Sequence, residues 1–518
     1  MNTLRQNMSL AALLISVPAA TFADQVTISS SDGAVSITGD LVAFDDEIFV
    51  LDTDIGQLRL SRSVTACSGA ACPVLTTDLD MAVAVNEPKT ATLLQAMVNG
   101  FAASRDLTGL SAAGSDGMVA RIDLQNFQTN TTAGKVDVAL QQTDAAFTQL
   151  VSNQVDLAIT KVAVPATVAE NVIASGGTDP RDLSRERIIA LDAIVPIVHP
   201  NNPVRSVSLE ELALIASGRI QNWSELGGDN LPIQMLLPAQ GSSLDQAFTE
   251  TVLDPNRVRL RRSAERAESE SAAAAAVASN EAAIAVTSLS EATQGQILPI
   301  RQTCGPLAYA TDFAIKAEEY PLSRRVFAYV GDAVQSSAGD DFVEYLTSPE
   351  AQPLIAEAGY VDQVVVSEPI SLQGTRMTSA ILSATTGATL GLVQNFSRDL
   401  ATADRLSTTF RFTSGSARLD NKSVEDVQRM VDYLNSPEAR NREVLIIGFT
   451  DDVGRFDLNE RLALLRATAV REALVSAVGG DVLADRMAVS SYGPLAPVGC
   501  NETADGRESN RRVEIWLR

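Results

Sequence analysis

The feature that most constrains the fold is a long alternation of short apolar runs with amphipathic stretches, which extends from Met81 to Gln363. The run "MAVAV" precedes the helix-like "ATLLQAMVNGFAAS", and "VDVALQQ" precedes "AFTQLVSNQ". Two further runs, "VDLAIT" and "RIIALDAIVPIVH", are typical of buried strands, and the alanine-rich "AESESAAAAAVASN" favours a surface helix. Repeated alternation of strand and helix over this length predicts an α/β domain with a largely parallel sheet.

One stretch inside this region carries specific helix signals. Ser208 and Glu211 have the spacing of a capping box, in which each side chain bonds the other residue's backbone N–H. Gly218 is suited to end the helix, because glycine adopts the left-handed conformation without a steric cost. The spacing of Leu212 and Ile215, with Leu209 before them, predicts a stripe that faces the core.

The full stretch from Val198 to Gly228, "VHPNNPVRSVSLEELALIASGRIQNWSELGG", resembles the periplasmic solute-binding proteins of ABC importers, most closely their phosphate-binding branch. The later runs "NEAAIAV", "YPLSRRVFAYV" and "FVEYLTSPEAQPLIAEAGYV" support the same resemblance. It implies a two-lobed α/β domain, hinged around a ligand cleft, over residues 79–363.

The resemblance also implies where an anion would be held in this cleft. The candidate ligand positions fall on Thr90, Thr92, Thr160, Lys161, Gly241, Ser242 and Ser243. Lys161 stands where the family has a proton-accepting aspartate, and Pro238 and Gln240 replace an arginine and an aspartate. Glu87, in the first loop, would repel an anion. Three alternatives stay open: phosphate, another small oxyanion or carboxylate, or a cleft that serves as a scaffold and binds nothing.

The segments outside this region have simpler patterns. Arg5, the apolar run "MSLAALLISVPAA" and the small residues up to Ala23 predict a signal peptide over residues 1–23, because the run is too short to cross about 30 Å of hydrocarbon. Residues 24–78 predict a small β-module, with a hairpin signal at Asp32-Gly33. Residues 364–406 are interpreted as a linker with some strand and helix.

Charge and cysteine content exclude some functions. A formal net charge of −24 argues against sequence-independent nucleic-acid binding, which depends on neutralising phosphates with Lys and Arg. The four cysteines fit an oxidising compartment: Cys67 and Cys72 could close a small loop, whereas Cys304 and Cys500 would join two domains if they pair. Disulfides are favoured over a metal site because His199 is the only histidine. We expect no metal and no cofactor.

Residues 407–518 predict a compact α+β sandwich of β-α-β-α-β order. Strand-like "STTFRFTSGSARL" and "REVLIIGFT" flank the helix-like "NKSVEDVQRMVDYLNS", and "MAVSSYG" and "RRVEIWL" follow a charged helix. Three motifs, "GFTDDVG", "LNERLALLRA" and "GRESNRRVEI", resemble the OmpA-like peptidoglycan-binding domain. The predicted fold is therefore multidomain α/β: a β-module, a two-lobed domain like that of periplasmic binding proteins, and a C-terminal OmpA-like sandwich.

The second resemblance implies a site for the diaminopimelate side chain of the peptidoglycan stem peptide. That side chain carries an ammonium and a carboxylate on one carbon, so it needs an anionic and a cationic partner. The family's aspartate and arginine fall on Asp451 and Arg466, and Asn459 lies two turns before Arg466 on the same helix face. At the start of the last strand we expect Arg512 to face the site, since Val513 then faces the core.

Together these features predict a periplasmic binding protein, attached to peptidoglycan near the outer-membrane face, rather than an enzyme. An ABC permease or an outer-membrane protein is a candidate partner, and the cleft is a candidate site for a small anion. The alternative is a purely structural envelope linker with a vestigial cleft. Catalysis is disfavoured because the sequence singles out no metal-ligand cluster and no placed carboxylate pair, and offers one histidine, His199.

Overall fold

The structure, a computed structural model, describes residues 25–30, 35–44, 48–53, 56–61, 65–69, 71–72, 79–114, 118–261, 264–332, 337–384, 387–412, 418–478 and 484–518. The signal peptide predicted over residues 1–23 and the Asp32-Gly33 turn lie outside these residues. Among the helices of the described ranges, none has both the length and the apolar character needed to cross a membrane. The chain divides into two compact units, Met1–Thr77 and Asp78–Arg518.

The first unit is a five-stranded antiparallel sheet in the order β4-β3-β2-β1-β5. Its strands are β1 Gln25–Ser30, β2 Ser36–Phe44, β3 Ile48–Thr53, β4 Gly56–Ser61 and β5 Thr65–Ser68. Alternate residues of β1 and β3, among them Val26 and Leu51, face a small core. The predicted disulfide between Cys67 and Cys72 is present.

The first lobe of the central domain is a sheet flanked by helices. Its strands are β6 Leu79–Val85, β7 Thr108–Ala113, β8 Val119–Asn126, β9 Thr131–Leu140, β10 Leu157–Thr160 and β18 Ser323–Val330. Its helices are α1 Pro88–Ala103, α2 Thr143–Val151, α3 Ala166–Ala174, α8 Ser337–Tyr345 and α9 Gln352–Glu357. Helix α1 buries Leu94 and Phe101 in the core of this lobe.

The second lobe has a smaller sheet and its own core. Its strands are β12 Gln234–Leu237, β13 Glu265–Arg266, β14 Ala283–Ser288 and β15 Gln296–Ile297, beside a short β16 Ile300–Arg301 and β17 Leu307–Ala308 ladder. Its helices are α4 Leu209–Ser217, α5 Ser243–Phe248, α6 Glu270–Ser279 and α7 Asp312–Lys316. The capping box predicted at the start of α4 is confirmed, and Gly218 ends this helix with a φ of 73°.

A single long strand, β11 Glu186–Val198, joins the two lobes. It pairs with β18 as far as Ala193 and with β14 from Ile194 onward, so the change of partner falls between these two residues. The expectation of a largely parallel sheet was wrong, because β7, β8 and β9 form antiparallel hairpins and β11 is antiparallel to both of its main partners. Among the described strands of the central domain, the parallel pairs lie in the β10-β6-β9 and β13-β12-β14 groups.

The C-terminal domain is a five-stranded sheet in the order β19-β20-β23-β21-β22. Its strands are β19 Ser367–Pro369, β20 Asp404–Arg411, β21 Val444–Phe449, β22 Met487–Gly493 and β23 Arg512–Leu517. Its helices are α10 Gly374–Ser383, α11 Gly387–Leu400, α12 Asn421–Asn435, α13 Phe456–Val478 and α14 Ala504–Asn510.

Both faces of this sheet are covered. Helices α12 and α13 pack on the face that carries Val513 and Ile515. Residues of α10 and α11 pack on the opposite face, against Phe449 and Trp516. The segment 364–406, interpreted from sequence as a linker, therefore supplies an edge strand and a second helical layer, because its apolar residues cover a sheet face that would otherwise be exposed.

The central and C-terminal domains are joined by a disulfide and by ion pairs. Cys304 is bonded to Cys500, as predicted for a link between these domains. Arg325 contacts Asp420 at 2.8 Å, and Arg411 contacts Glu318 at 3.1 Å.

Candidate functional site

Asp451 immediately follows the buried strand β21 and has both carboxylate oxygens engaged. Oδ1 accepts a hydrogen bond from the backbone N of Val453 at 3.1 Å, which orients the side chain within its turn. Oδ2 accepts from Nη1 of Arg511 at 2.8 Å. The Asp451 side chain is 14% exposed, so this anion is held in place and still reaches solvent.

Asn459, in the first turns of α13, ties the Asp451 turn to the helix. Its Nδ2 donates to the carbonyl oxygens of Asp451 at 3.2 Å and of Val453 at 3.1 Å. Because the amide is used by the backbone of the turn, Asn459 is positioned to orient Asp451.

Arg466 lies two turns further along α13 and is 1% exposed. Its guanidinium carbon lies 5.2 Å from the centroid of the Phe412 ring. The pKa of Arg466 is lowered, first by burial and then by the neighbouring Arg511 cation, while Asp451 opposes the shift. One carboxylate and two guanidinium groups are therefore close enough to act on one another, and we call Asp451, Asn459, Arg466 and Arg511 the Asp451 site.

The expectation that Arg512 faces this site was wrong. Arg512 is fully buried on the opposite face of the sheet, where its Nε donates to Glu514 at 2.6 Å and its guanidinium stacks over Phe449. Alternation along β23 places Val513 on the same face as α13, and Arg511 precedes it with the same parity. The prediction failed because helices cover both faces of the sheet. The apolar character of Val513 therefore does not show which of the two faces carries the site.

The Asp451 site has charges of both signs within reach of one another, which suits a zwitterion. Arg511 and Phe412 also line a neighbouring pocket of about 390 Å³, whose other wall includes Glu318 and Arg325 of the central domain. A ligand bound at Asp451 would thus lie close to surface contributed by both domains.

The cleft between the two lobes holds a second group of charges, which is almost completely buried. We call it the cleft cluster, and its members are Glu87, Lys161, Asp192, Ser243, Ser288 and Arg324. Nζ of Lys161 lies 2.9 Å from Glu87 and 3.0 Å from Asp192.

Ser288 and Arg324 complete the cleft cluster. Nη2 of Arg324 donates to the Ser288 hydroxyl at 2.6 Å and lies 3.8 Å from Asp192. Burial alone would lower the pKa of Lys161, but the carboxylates of Glu87 and Asp192 outweigh it and raise that pKa well above its usual value. Lys161 is therefore charged, and its charge is already balanced by the protein.

The residues predicted to hold an anion are only partly brought together. Lys161 and Ser243 are members of the cleft cluster, and Thr90 is buried in the first turn of α1. Thr92 is exposed and donates to the Pro88 carbonyl of its own helix. The hydroxyl of Thr160 donates to the carbonyl of Val162.

Gly241 and Ser242 serve the start of α5. Ser242 is the N-cap of this helix and accepts from the backbone N of Asp245 at 3.1 Å. The backbone N of Gly241 donates to the Asp245 carboxylate at 3.0 Å. These two residues shape the loop that carries Ser243.

Sequence reasoning missed Asp192 and Arg324 and misjudged Glu87. Asp192 is the one acidic residue within the apolar core of β11, and an isolated charge in such a run is a signal of a buried partner. Arg324 had no comparable signal, because it lies in a run with a second arginine, Arg325, and only the fold shows which one enters the cleft.

Metal binding finds little support in the described ranges. There, the group of side chains close enough to share an ion consists of Cys304, Cys500 and Glu502, and its two sulfurs form the disulfide.

Comparison with known proteins finds two family models that match separate parts of the chain. Residues 100–350 match the model of the PBP superfamily domain, and residues 411–511 match the model of the OmpA family. The chain therefore combines a PBP superfamily domain with a C-terminal OmpA family domain, which confirms both resemblances.

Three relatives are similar to one or the other of these two regions. The probable lipoprotein YiaD of Escherichia coli is 45% identical over 106 residues, which are 20% of this chain and 46% of YiaD. The peptidoglycan-binding protein ArfA of Mycobacterium bovis is 36% identical over 105 residues, which are 20% of this chain and 30% of ArfA. The phosphate-binding protein PstS of Borreliella burgdorferi is 23% identical over 193 residues, which are 34% of this chain and 66% of PstS. The match thus covers less than half of YiaD and of ArfA.

Proposed function

We propose that this protein is a cell-envelope binding protein that attaches non-covalently to peptidoglycan through the Asp451 site. The observation that carries the proposal is the meeting of Asp451 with Arg466 and Arg511 at the end of β21. The names of relatives support it, since ArfA is a peptidoglycan-binding protein and YiaD a probable lipoprotein. Both matched family models describe binding or structural domains, and the proposal assigns no catalysis.

The ligand in this proposal is the diaminopimelate side chain of the stem peptide. Its ammonium would lie against the carboxylate of Asp451, and its carboxylate against the guanidinium groups of Arg466 and Arg511. Arginine suits the carboxylate because its planar fork offers two parallel donors. Asn459 would hold the Asp451 turn in position. The expected location is the periplasm, at the cell wall and close to the outer membrane.

The test is retention of the full-length protein on purified sacculi. Asp451→Ala and Arg466→Ala should each weaken binding by 30-fold or more, because leaving a buried charge without its partner costs on the order of 2–5 kcal/mol. Asp452→Ala and Arg461→Ala are matched controls, since both side chains are exposed on the same two elements. If both Asp451→Ala and Arg466→Ala fold and are retained on sacculi as well as the wild-type protein, the proposal is contradicted.

Competition tests the chemistry of the ligand. A stem peptide with diaminopimelate should displace the protein from sacculi, whereas the same peptide with lysine should not. Lysine carries the ammonium and lacks the adjacent carboxylate, so it cannot engage both signs of charge. Equal displacement by the two peptides would argue against recognition of a zwitterion.

A second candidate function concerns the cleft, which we propose as a site for a small oxyanion or carboxylate. Two buried cations, Lys161 and Arg324, favour this candidate, and the PstS relative is named a phosphate-binding protein. An ABC permease or an outer-membrane protein would be the partner that receives such a ligand. Calorimetry of the full-length protein with phosphate, sulfate and acetate tests this candidate independently of wall binding.

A further inference from the structure

Glu87 has an unusual position for a residue that begins a helix. It is the N-cap residue of α1, where a side chain commonly accepts a hydrogen bond from the backbone of its own helix. The Glu87 side chain makes no such bond. Its carboxylate points across the cleft instead and is buried there, with 7% of the residue exposed.

The partners of this carboxylate are those of a bound anion. Oε2 lies 2.9 Å from Nζ of Lys161, and Oε1 accepts a hydrogen bond from the Ser243 hydroxyl. Arg324 also acts on Glu87, and together with Lys161 and Ser243 it outweighs the effect of burial and lowers the pKa of Glu87. An ammonium, a hydroxyl and a nearby guanidinium are the donors that a small carboxylate or an inorganic oxyanion would require.

The charges of the cleft cluster balance without an external ligand. Two cations, Lys161 and Arg324, face two fully engaged carboxylates, Glu87 and Asp192. Glu270 adds a further carboxyl group close by, where it accepts from the backbone N of Ser288. A free anion that entered this space would meet three acidic groups, and both cations already face a carboxylate, although Nε and Nη1 of Arg324 make no hydrogen bond to any described residue.

The same contacts connect the two lobes. Glu87 and Lys161 belong to the first lobe, whereas Ser243 and Ser288 belong to the second. The Ser243–Glu87 and Lys161–Ser288 bonds therefore cross the cleft, and opening the lobes would separate them.

We propose that Glu87 is a built-in anion, whose carboxylate occupies the ligand position of the cleft and holds the two lobes together. The wild-type cleft consequently takes no free anion. Removing the Glu87 side chain uncovers a site for acetate or phosphate, formed by Lys161, Ser243 and Arg324. This inference is an alternative to the second candidate function, in which the wild-type cleft itself binds a small anion, and it does not depend on attachment to peptidoglycan.

The test compares the full-length wild-type protein with Glu87→Ala. Acetate and phosphate are titrated at an ionic strength held constant with chloride, while the thermal midpoint and the heat of binding are recorded. The midpoint of Glu87→Ala should rise by about 3–5 °C once the added anion exceeds its dissociation constant about tenfold, because a ligand that binds only the folded state stabilises it. The wild type should show no such rise.

Two control variants isolate the effect. Glu357→Ala removes an exposed carboxylate from the first lobe and should behave as the wild type. Adding Lys161→Met to Glu87→Ala should abolish the response to acetate, because the ammonium that the anion would contact is gone. If Glu87→Ala does not fold in chloride, recovery of its native spectrum on adding acetate is the expected result, and failure to recover would overturn the proposal.

The outcomes distinguish this inference from the second candidate function and from the wall proposal. Phosphate or acetate binding by the wild type, at least as tight as by Glu87→Ala, would overturn the built-in anion and leave the second candidate function standing. No binding by either folded protein would overturn both. Sacculus retention, measured on the same samples, tests the wall proposal separately.

Discussion

Replacing Glu319 by glutamine should loosen the C-terminal domain from the central domain. Glu319 follows α7 of the central domain, and its Oε1 lies 2.6 Å from Arg405 and 2.7 Å from Arg376, both of the C-terminal domain. Burial alone would raise the pKa of Glu319, but Arg405 and Arg376 outweigh it and hold that pKa well below its usual range. Glu319 is thus a charged link between the domains.

The expected magnitude follows from the number of buried charges. Three guanidinium groups, of Arg376, Arg405 and Arg512, surround two carboxylates, of Glu319 and Glu514. Glu319→Gln keeps the shape and leaves three cations with one anion. Breaking a buried ion pair by removing one partner costs about 3–5 kcal/mol, since the remaining charge is uncompensated.

Tryptophan fluorescence can follow this loss directly. The chain has two tryptophans, and Nε1 of Trp516 donates to Glu514 at 3.0 Å, inside the charged group. In a Trp223→Phe background, Trp516 alone reports on the join between the domains. The disulfide is removed by Cys304→Ser and Cys500→Ser in all samples, because it would keep the domains together after the ion pairs break.

The assay is urea unfolding at pH 7.5. The Trp516 transition should move to lower urea by an amount equivalent to about 3–5 kcal/mol for Glu319→Gln. Glu210→Gln, at an exposed carboxylate of the central domain, should leave it within about 0.5 kcal/mol. If the Trp516 transition shifts no more in Glu319→Gln than in Glu210→Gln, the reasoning is refuted.

Three further predictions concern the separate roles of Arg511 and Arg512, the stability of the protein at low pH, and the carboxyl group of Glu425 in α12. Arg511→Ala should lower sacculus affinity at least tenfold, whereas Arg512→Ala should lower the free energy of unfolding and leave the affinity of the folded fraction unchanged; the reverse pattern would restore Arg512 as the ligand-facing residue. Asp192 and Glu318 have pKa values below their usual ones because neighbouring cations outweigh burial, so the stabilisation they provide is present above about pH 4.5 and is lost as the pH falls through the folded-state values. Urea titrations should show an unfolding free energy lower at pH 3 than at pH 7, and equal values would contradict this. Burial raises the pKa of Glu425 to about 7, despite the opposing effect of Arg429 and Arg187. Ionising this carboxyl group is therefore unfavourable in the folded protein, and the protein loses stability as the pH rises from 4.5 to 7. Glu425→Gln should therefore stabilise the protein by roughly 1–3 kcal/mol at pH 8 and have little effect at pH 5, as measured by the same titration.

The family resemblance, supported by local patterns, predicted much of the C-terminal site. The resemblance to the OmpA-like domain selected Asp451 and Arg466, while the apolar run before Asp451 and the helical spacing of Asn459 and Arg466 supported that selection. The structure brings Asp451, Asn459 and Arg466 together as expected. The choice between Arg511 and Arg512 could not be made in this way, because alternation shows only that they face opposite sides of the sheet.

The cleft shows the limits of local patterns more clearly. Lys161 was selected because it stands at a ligand position of a resembling family, and it does lie in the cleft. Its partners Glu87 and Asp192 come from α1 and β11, which are separated from it by tens of residues. Pairing between such distant positions depends on the order of the strands in the sheet, where β10 lies between β6 and β18 and β11 pairs with β18.

The chain's own residue order was enough to predict many of its strands and helices and the capping box at Ser208, and two sets of motifs in a characteristic order indicated the two families. These properties arise from interactions between residues a few positions apart, so they can be recognised before folding. Which charges meet was settled by the three-dimensional packing. Coverage of both sheet faces buried Arg512 and left Arg511 beside Asp451, and the parallel pairing of β6 with β10 brought the Glu87 carboxylate against Lys161. A buried charge requires a partner of opposite sign, and that partner can come from any part of the chain that the fold brings close.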